Sequence, residues 1–159
     1  MIAYPFPHTF EPSRYAPAYL RSGILEAQVQ ERCVARLITR WHARVTVIDV
    51  GGRKLRGQLV RRFGLTPMAL KAVGDPAARG IVDLAVTFPG GLAGWFEVKK
   101  PARYVVSKRT GRLIQRSEAG SPTPEQLAFL LAQHRLGAVA GVLWSELDLD
   151  ALIPAAEAA

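Results

Sequence analysis

Hydrophobic and polar residues follow two periods along the chain, and these periods divide it into helical and extended segments. Over residues 23–41 the apolar positions recur at helical spacing, at Leu25, Val29, Cys33, Leu37 and Trp41. A first helix is therefore predicted there, with Ser22 as its N-cap. The next segment, RVTVIDV (44–50), alternates and is rich in β-branched residues, which predicts a strand that ends at Gly51-Gly52.

The second half of the chain predicts two hairpins, a helix and a final strand. The segments GIVDLAVTF and GWFEVKK flank the turn-forming PGGLA, and RYVVSKRTGRLIQR carries Thr110-Gly111 at its centre. A helix is expected from Thr123 to a stop at Gly137, followed by the buried strand AVAGVLW and an acidic short helix or tail. Residues 53–79 are broken by Gly and Pro, and we expect a loop there with one short helix near PMALKAV. This order predicts an α/β fold, a mixed β-sheet flanked by helices.

Three charged residues interrupt the first hairpin on one face. Trp95, Glu97 and Lys99 alternate with apolar residues, and a turn near residues 90 to 91 would pair Asp83 with either Glu97 or Lys99. Two adjacent carboxylates repel each other unless a cation or a shared proton lies between them, and Lys99 offsets only one charge. Carboxylate oxygens completed by water suit Mg²⁺ or Mn²⁺ better than zinc.

Glu26 extends this group. At 100° per residue it projects between Cys33 and Leu37, within the apolar stripe of the first helix. A structural interpretation also fits these residues: Glu97 and Lys99 could form an ion pair on a wet sheet face, beside a strand-end Asp83. Likewise Thr123 and Gln126 have the spacing of a capping box, which would explain Gln126 without an active site.

Composition and charge narrow the class of protein. The chain has 159 residues, 49% of them hydrophobic, as expected for one soluble globular domain without a transmembrane segment. The lone Cys33 is expected in the core, and a start without a secretory pattern favours the cytoplasm. Lys and Arg number 21 against 13 acids, and two acid-free basic clusters, at 53–62 and 99–116, predict a polyanionic partner rather than a merely soluble cationic surface. The cations expected to contact phosphates are Arg53, Lys54, Arg56, Arg61, Arg62, Lys100, Arg103, Lys108, Arg109, Arg112 and Arg116.

Four segments, GIVDLAV, FEVKKP, SPTPEQLAFL and LGAVAGVLWS, resemble the VRR-NUC family of the PD-(D/E)XK nuclease superfamily. Upstream, LEAQVQ is similar to the glutamate-bearing first helix of that family, and GGRKLRGQLVRR to its glycine- and arginine-containing segment. The resemblance implies a restriction-endonuclease-like nuclease domain over residues 23–150, between an irregular N-terminal arm (1–22) and a C-terminal tail (151–159). Two features depart from the family: Val82 replaces a frequent proline, and the insert at 102–121 is longer than usual.

The resemblance also implies a function and roles for residues. It implies a Mg²⁺-dependent DNA endonuclease, Mn²⁺ substituting, which hydrolyses branched DNA such as Holliday junctions and acts as a homodimer. Asp83, Glu97 and the Val98 carbonyl would hold the metal, with Lys99 as the catalytic lysine. Glu26 would support the metal site and Gln126 would lie beside it. The alternatives are a non-catalytic DNA-binding protein that retains the fold, and a restriction or repair nuclease acting on duplex DNA.

Overall fold

The structure, a computed structural model, describes residues 2–48 and 82–153. After a 3₁₀ turn at Pro12–Arg14, the described elements in chain order are α1 (Pro17–Arg21), α2 (Glu26–Trp41), β1 (Arg44–Val47), β2 (Leu84–Thr87), β3 (Ala93–Val98), β4 (Arg103–Val106), β5 (Leu113–Ser117), α3 (Pro124–Arg135), β6 (Val139–Leu143) and α4 (Asp148–Leu152). They form an α/β fold, and the predicted mixed sheet flanked by helices is confirmed.

The main sheet has four strands in the order β1-β2-β3-β6. Strands β2 and β3 form the predicted antiparallel hairpin, with Leu84 opposite Phe96, and its turn contains Gly90 and Gly91 at φ 89° and 90°. A β-carbon is disfavoured at such positive φ, so two glycines suit this turn. Strand β6 pairs parallel to β3 because the chain returns through α3, which crosses over from one end of the sheet to the other.

Apolar side chains cover both faces of the sheet. On one face α2 packs its stripe against the inward residues of β2 and β3, and the buried core there includes Val29, Cys33, Leu37, Leu84, Phe96 and Val98. On the other face lie α3 and the N-terminal segment, and the core there includes Phe6, Val82, Leu130, Val142 and Trp144. Cys33 is fully buried, as predicted.

The first helix begins later than the sequence pattern predicts. Ser22 is the C-cap of α1, and its hydroxyl donates to the Tyr19 carbonyl. Gly23 follows at φ 63°, which interrupts the helical backbone, and Leu25 is the N-cap of α2. The Leu25 N–H donates to Gln28 Oε1 at 2.9 Å, so a glutamine provides the cap instead of Ser22.

The N-terminal segment, expected to be irregular, contains the 3₁₀ turn and α1 and packs against the end of β6. Phe6 is buried, and the Tyr19 hydroxyl donates to the Trp144 carbonyl. Asp148 accepts hydrogen bonds from Tyr15 at 3.0 Å and from Arg14 at 3.2 Å. These contacts make the segment part of the folded core.

A second antiparallel sheet, β4-β5, forms the predicted second hairpin. We call residues 103–117 the insert hairpin. Its strands pair from Arg103 opposite Ser117 to Val106 opposite Leu113, with an irregularity beside Arg103. Gly111 lies in the turn at φ 66°, where the sequence places Thr110-Gly111.

Several sequence expectations concern residues outside the described ranges. These are the end of the first strand at Gly51-Gly52, the short helix near PMALKAV, and the basic segment 53–62 with Arg53, Lys54, Arg56, Arg61 and Arg62. Within the described ranges, no helix has the length and apolar character needed to cross a bilayer.

Candidate active site

Asp83 and Glu97 come together where β2 begins and β3 ends. The register that pairs Leu84 with Phe96, extended by one residue, brings Asp83 opposite Glu97. The Val98 N–H donates to Asp83 Oδ2 at 2.8 Å, so the aspartate is tied to the neighbouring strand by its side chain. Of the two registers open from the sequence, the structure has the one that places the two carboxylates side by side.

Glu97 is a buried carboxylate with one satisfied oxygen. Its exposed fraction is 1%, unlike the wet sheet face of the structural interpretation. Glu97 Oε1 lies 2.6 Å from Lys99 Nζ and accepts a hydrogen bond from Gln126 Nε2 at 2.7 Å. Glu97 Oε2 is buried and has no hydrogen-bond partner among the described residues. A buried oxygen normally has a hydrogen-bond donor, a proton or a cation next to it, and any of these would satisfy Oε2.

Burial and mutual repulsion shift the protonation of both acids. Burial, and after it the negative charge of Asp83, raises the pKa of Glu97 to about 7, although Lys99 opposes the shift. Burial also raises the pKa of Asp83, against the opposing effects of the Val98 N–H and of Lys99. Two neighbouring carboxylates with raised pKa values form a site that favours a bound proton or a bound cation.

Glu26 lies at the first residue of α2 and contributes charge at the margin of the site. Its negative charge raises the pKa of both Asp83 and Glu97. The side chain is exposed rather than enclosed by the apolar stripe, because the helix begins at this residue and the covering core starts only at Val29. The predicted place of Glu26 within the apolar stripe is therefore not matched by burial of its side chain.

Gln126 forms the predicted capping box and also contacts Glu97. It is the N3 residue of α3, where its N–H donates to Thr123 Oγ1 at 3.2 Å and its Oε1 accepts from the Thr123 N–H at 2.9 Å. Its Nε2 remains free to donate to Glu97. The capping box thus fixes the amide in the orientation that presents a donor to the buried acid.

The donor set fits a hard divalent cation held partly by water. Within residues 2–48 and 82–153, no three His, Cys, Asp or Glu side chains lie close enough to form a metal site by themselves. Asp83 and Glu97 nevertheless offer oxygen atoms, including the unpartnered Glu97 Oε2, and Mg²⁺ characteristically binds to one or two carboxylates and keeps several waters. The Val98 N–H is engaged by Asp83, whereas its carbonyl remains a predicted ligand.

Among the residues that the structure describes, the cations predicted to contact DNA lie either next to this site or on the insert hairpin. Lys100 is half-buried next to Lys99, and Arg103 is exposed beside Gly23. The exposed cations on the outer part and second strand of the hairpin are Lys108, Arg109, Arg112 and Arg116.

Gly120 adjoins the site, and the sequence analysis did not single it out. Its N–H donates to the Lys100 carbonyl at 2.8 Å, and a β-carbon built on it would lie 3.4 Å from Lys99 Cδ. The only sequence signal is a glycine shortly before the cap of α3. Gly120 therefore places the end of the insert against Lys99 and Lys100, which lie just before the insert.

Comparison of the chain with protein-family models, with curated proteins and with solved structures finds no match. A functional assignment therefore depends on the side chains described above and on the sequence motifs that carry them.

Proposed function

We propose that this protein is a Mg²⁺-dependent DNA endonuclease with a restriction-endonuclease-like domain. The observation that carries the proposal is the pairing of half-buried Asp83 with buried Glu97, with Lys99 on one glutamate oxygen and no partner among the described residues on the other. The same residues carry the resemblance to the VRR-NUC family. Geometry and sequence motif thus support one assignment through the same side chains.

The simple ion pair is the weaker explanation of this cluster. A pair formed only for stability would leave half-buried Asp83 as a second acid beside Glu97, held by the Val98 N–H but outside the ion pair, and ionising both acids at this site would be costly. Exposed ion pairs contribute little, and buried ones contribute only when every oxygen is satisfied. A cation that binds during function resolves this cost, since it neutralises the second charge and occupies the free oxygen.

Each residue of the candidate active site has a role in the proposed phosphodiester hydrolysis. A bound divalent ion would supply Lewis acidity, lowering the pKa of water and offsetting charge on the phosphate. Asp83 and Glu97 would hold that ion once both are ionised. Lys99, anchored by Glu97 and 15% exposed, would orient the attacking water or stabilise charge on the phosphate oxygens. Gln126 would keep Glu97 Oε1 in place, and Glu26 would add negative charge at the margin.

The substrate class follows from charge. A net charge of +8 and the acid-free cluster at 99–116 suit a polyanion. Contacts from Lys and Arg to phosphates do not read bases, so affinity should fall steeply with salt while sequence preference stays weak. We propose branched DNA as the preferred substrate and a twofold dimer as the acting species, since cutting both strands of a junction requires two sites.

The test is a panel of end-labelled DNAs incubated with the full chain in Mg²⁺ and in EDTA. The panel contains a four-way junction, a flap, a fork and a linear duplex, with Asp83→Asn as the matched control. We expect Mg²⁺-dependent cleavage that Asp83→Asn abolishes. Tight binding without cleavage of any DNA would instead indicate a non-catalytic binding protein. Cutting of the linear duplex at a fixed sequence would indicate a restriction-type nuclease.

A further inference from the structure

The insert hairpin emerges from the candidate active site and returns to it. Its first strand starts four residues after Lys99, and its second strand leads through Gly120 to α3, which carries Gln126. The base is closed by the Gly120 N–H, which donates to Lys100 O at 2.8 Å, and by Trp144 Nε1, which donates to Gly120 O at 2.9 Å. The hairpin is therefore anchored at its base beside Lys99 and Lys100.

The tip of the hairpin is ordered by its own hydrogen bonds. The Ser107 N–H donates to the Arg112 carbonyl at 2.8 Å, and the Gly111 N–H to the Ser107 carbonyl at 2.9 Å. The Ser107 hydroxyl also accepts from the N–H groups of Arg109 and Thr110, each at 3.3 Å. Lys108, Arg109 and Arg112 are thus presented on a preformed turn, which reduces the entropy lost when they bind a ligand.

These cations differ from the three arginines along α2. Arg32, Arg36 and Arg40 on α2 form ion pairs with Glu146 or Asp150. In residues 2–48 and 82–153, no ion pair involves Lys108, Arg109, Arg112 or Arg116. Their positive charge is therefore available to a negatively charged partner.

Apolar side chains lie on both faces of the outer hairpin. Val106 is paired with Leu113, and Val105 with Ile114. Adjacent strand residues point to opposite faces, so the two pairs lie back to back. Leu113, Val106 and Ile114 are 37%, 45% and 49% exposed. The outer part of this two-stranded ribbon exposes apolar surface on both faces, so it offers two contact surfaces. A sheet that packs on a core would instead bury one of its faces.

We propose that the insert hairpin is a wedge that enters branched DNA, with Leu113 and Ile114 against unstacked bases and the tip cations on the flanking phosphates. This inference rests on the proposed function for its ligand, DNA, and adds how a branch is recognised. Apolar wedges flanked by cations are a known means of opening base steps. The other candidate occupant, a second copy of this chain, is disfavoured because two acid-free basic faces repel each other.

The wedge is tested by binding in EDTA, where hydrolysis cannot interfere. A fluorescein-labelled fork and a linear duplex of equal length are compared, with 2-aminopurine at the branch to report unstacking. The variant is Leu113→Thr/Ile114→Thr, which removes apolar surface but places a residue of high strand propensity at both positions. The matched control is Leu136→Thr, because Leu136 is 81% exposed and lies after α3, outside the hairpin.

We expect the wild type to bind the fork about tenfold more tightly than the duplex and to raise 2-aminopurine fluorescence. The double variant should lose this preference and the fluorescence change, with duplex affinity unaltered and with the melting temperature of the control. An unchanged fork preference in the double variant would overturn the wedge. A DNA-free dimer that dissociates on this substitution, seen by sedimentation, would also overturn it and assign the face to a second copy.

A parallel cleavage assay in Mg²⁺ separates the two proposals. If the wild type cleaves DNA while the double variant keeps its fork preference, the wedge is wrong and the nuclease assignment stands. If fork binding depends on the hairpin but the wild type cleaves nothing, the nuclease assignment is wrong and the wedge remains as a mode of DNA binding.

Discussion

Gln126 Nε2 donates to Glu97 Oε1 across 2.7 Å, while Oε1 of the same glutamine accepts the Thr123 N–H. One amide therefore connects the start of α3 to the buried acid at the end of β3. Its oxygen is committed to the helix cap, so its nitrogen must face Glu97. A helix-capping interaction thereby sets the polarity of a contact in the candidate active site.

Replacing Gln126 with glutamate should separate its capping of α3 from its hydrogen bond to Glu97. In Gln126→Glu the cap remains, since glutamate is also favourable at this position, but the donor to Glu97 becomes an acceptor. The added negative charge raises the pKa of Glu97 further. We expect cleavage at pH 7 to fall at least about tenfold, with the rate recovering at higher pH. The measurement is the pH profile of the cleavage rate for both proteins.

Thr123→Ala is the complementary change. It removes the hydroxyl that accepts the Gln126 N–H but leaves the amide of Gln126 beside Glu97. The free energy of unfolding should fall by about 1 kcal/mol, as for loss of a helix cap, while the cleavage rate below the melting temperature stays close to wild type. Urea denaturation and the cleavage assay check both expectations. A large loss of activity at full occupancy of the folded state would contradict them.

Lys99→Ala should separate catalysis from binding. The lysine contacts Glu97 and is only 15% exposed, so it offers little surface to a flanking phosphate. We expect cleavage in Mg²⁺ to fall by on the order of 10²- to 10⁴-fold with DNA affinity nearly unchanged. The neighbouring Lys100→Ala is the control, and it should weaken binding and its salt dependence without abolishing cleavage. Retained cleavage in Lys99→Ala would reject the catalytic role.

Stability should fall as pH rises through the titration of Glu97. Its pKa is about 7 in the folded protein against an ordinary value of 4.5, so between these pH values the folded state binds a proton that the unfolded chain has lost. The contribution of this group to the free energy of unfolding is fully present at and below pH 4.5 and decreases by up to about 3 kcal/mol as the pH rises through 7. Asp83, whose pKa is also raised, adds a change of the same sign.

Glu97→Gln should remove the Glu97 part of that decrease. Urea midpoints at pH 5, 6, 7 and 8 measure it, and the variant should become more stable than wild type at pH 8 in EDTA. At pH values above 7, added Mg²⁺ should raise the urea midpoint of the wild type but not that of the variant. A ligand that binds only the folded state stabilises that state. Equal pH slopes for the two proteins would contradict the assignment of Glu97.

Asp148 and Asp150 form a matched pair for the stability of the N-terminal segment. Asp148 is 5% exposed and accepts from the N–H groups of Trp144 and Ser145 as well as from Tyr15. Asp148→Asn turns one acceptor into a donor among these donors and should cost about 2 to 4 kcal/mol. Asp150→Asn loses only exposed pairs with Arg36 and Arg40, and should cost about 1 kcal/mol or less. Urea denaturation compares the two.

Local patterns predicted most of the described elements. Alternation and turn chemistry gave both hairpins, and the Thr123 cap with Gly137 gave α3, because these signals depend on residues close in sequence. The pairing of Asp83 with Glu97 was also within reach, since a hairpin turn fixes its register. The start of α2 was missed because Gly23 breaks a pattern whose apolar spacing continues through it.

Packing between segments far apart in the chain could not be predicted from local sequence patterns. Phe6 and Tyr15 belong to a proline-rich stretch with no period, and their distant partners include Trp144 for Phe6 and Asp148 for Tyr15. The sequence likewise predicted an acidic short helix or tail around Asp148, and the structure has the short helix, but the four donors that converge on the Asp148 carboxylate were not predicted. The unpartnered oxygen of Glu97 depends on the packing of α3 and could only be seen in three dimensions.

Trp144 connects parts of the chain that are far apart in sequence. Its carbonyl accepts from Tyr19, its indole N–H donates to Gly120, and its backbone N–H donates to Asp148. The N-terminal segment, the return of the insert and the C-terminal helix therefore share one buried residue. Loosening any of them exposes the same indole, so the three segments should open together in amide exchange as one cooperative unit.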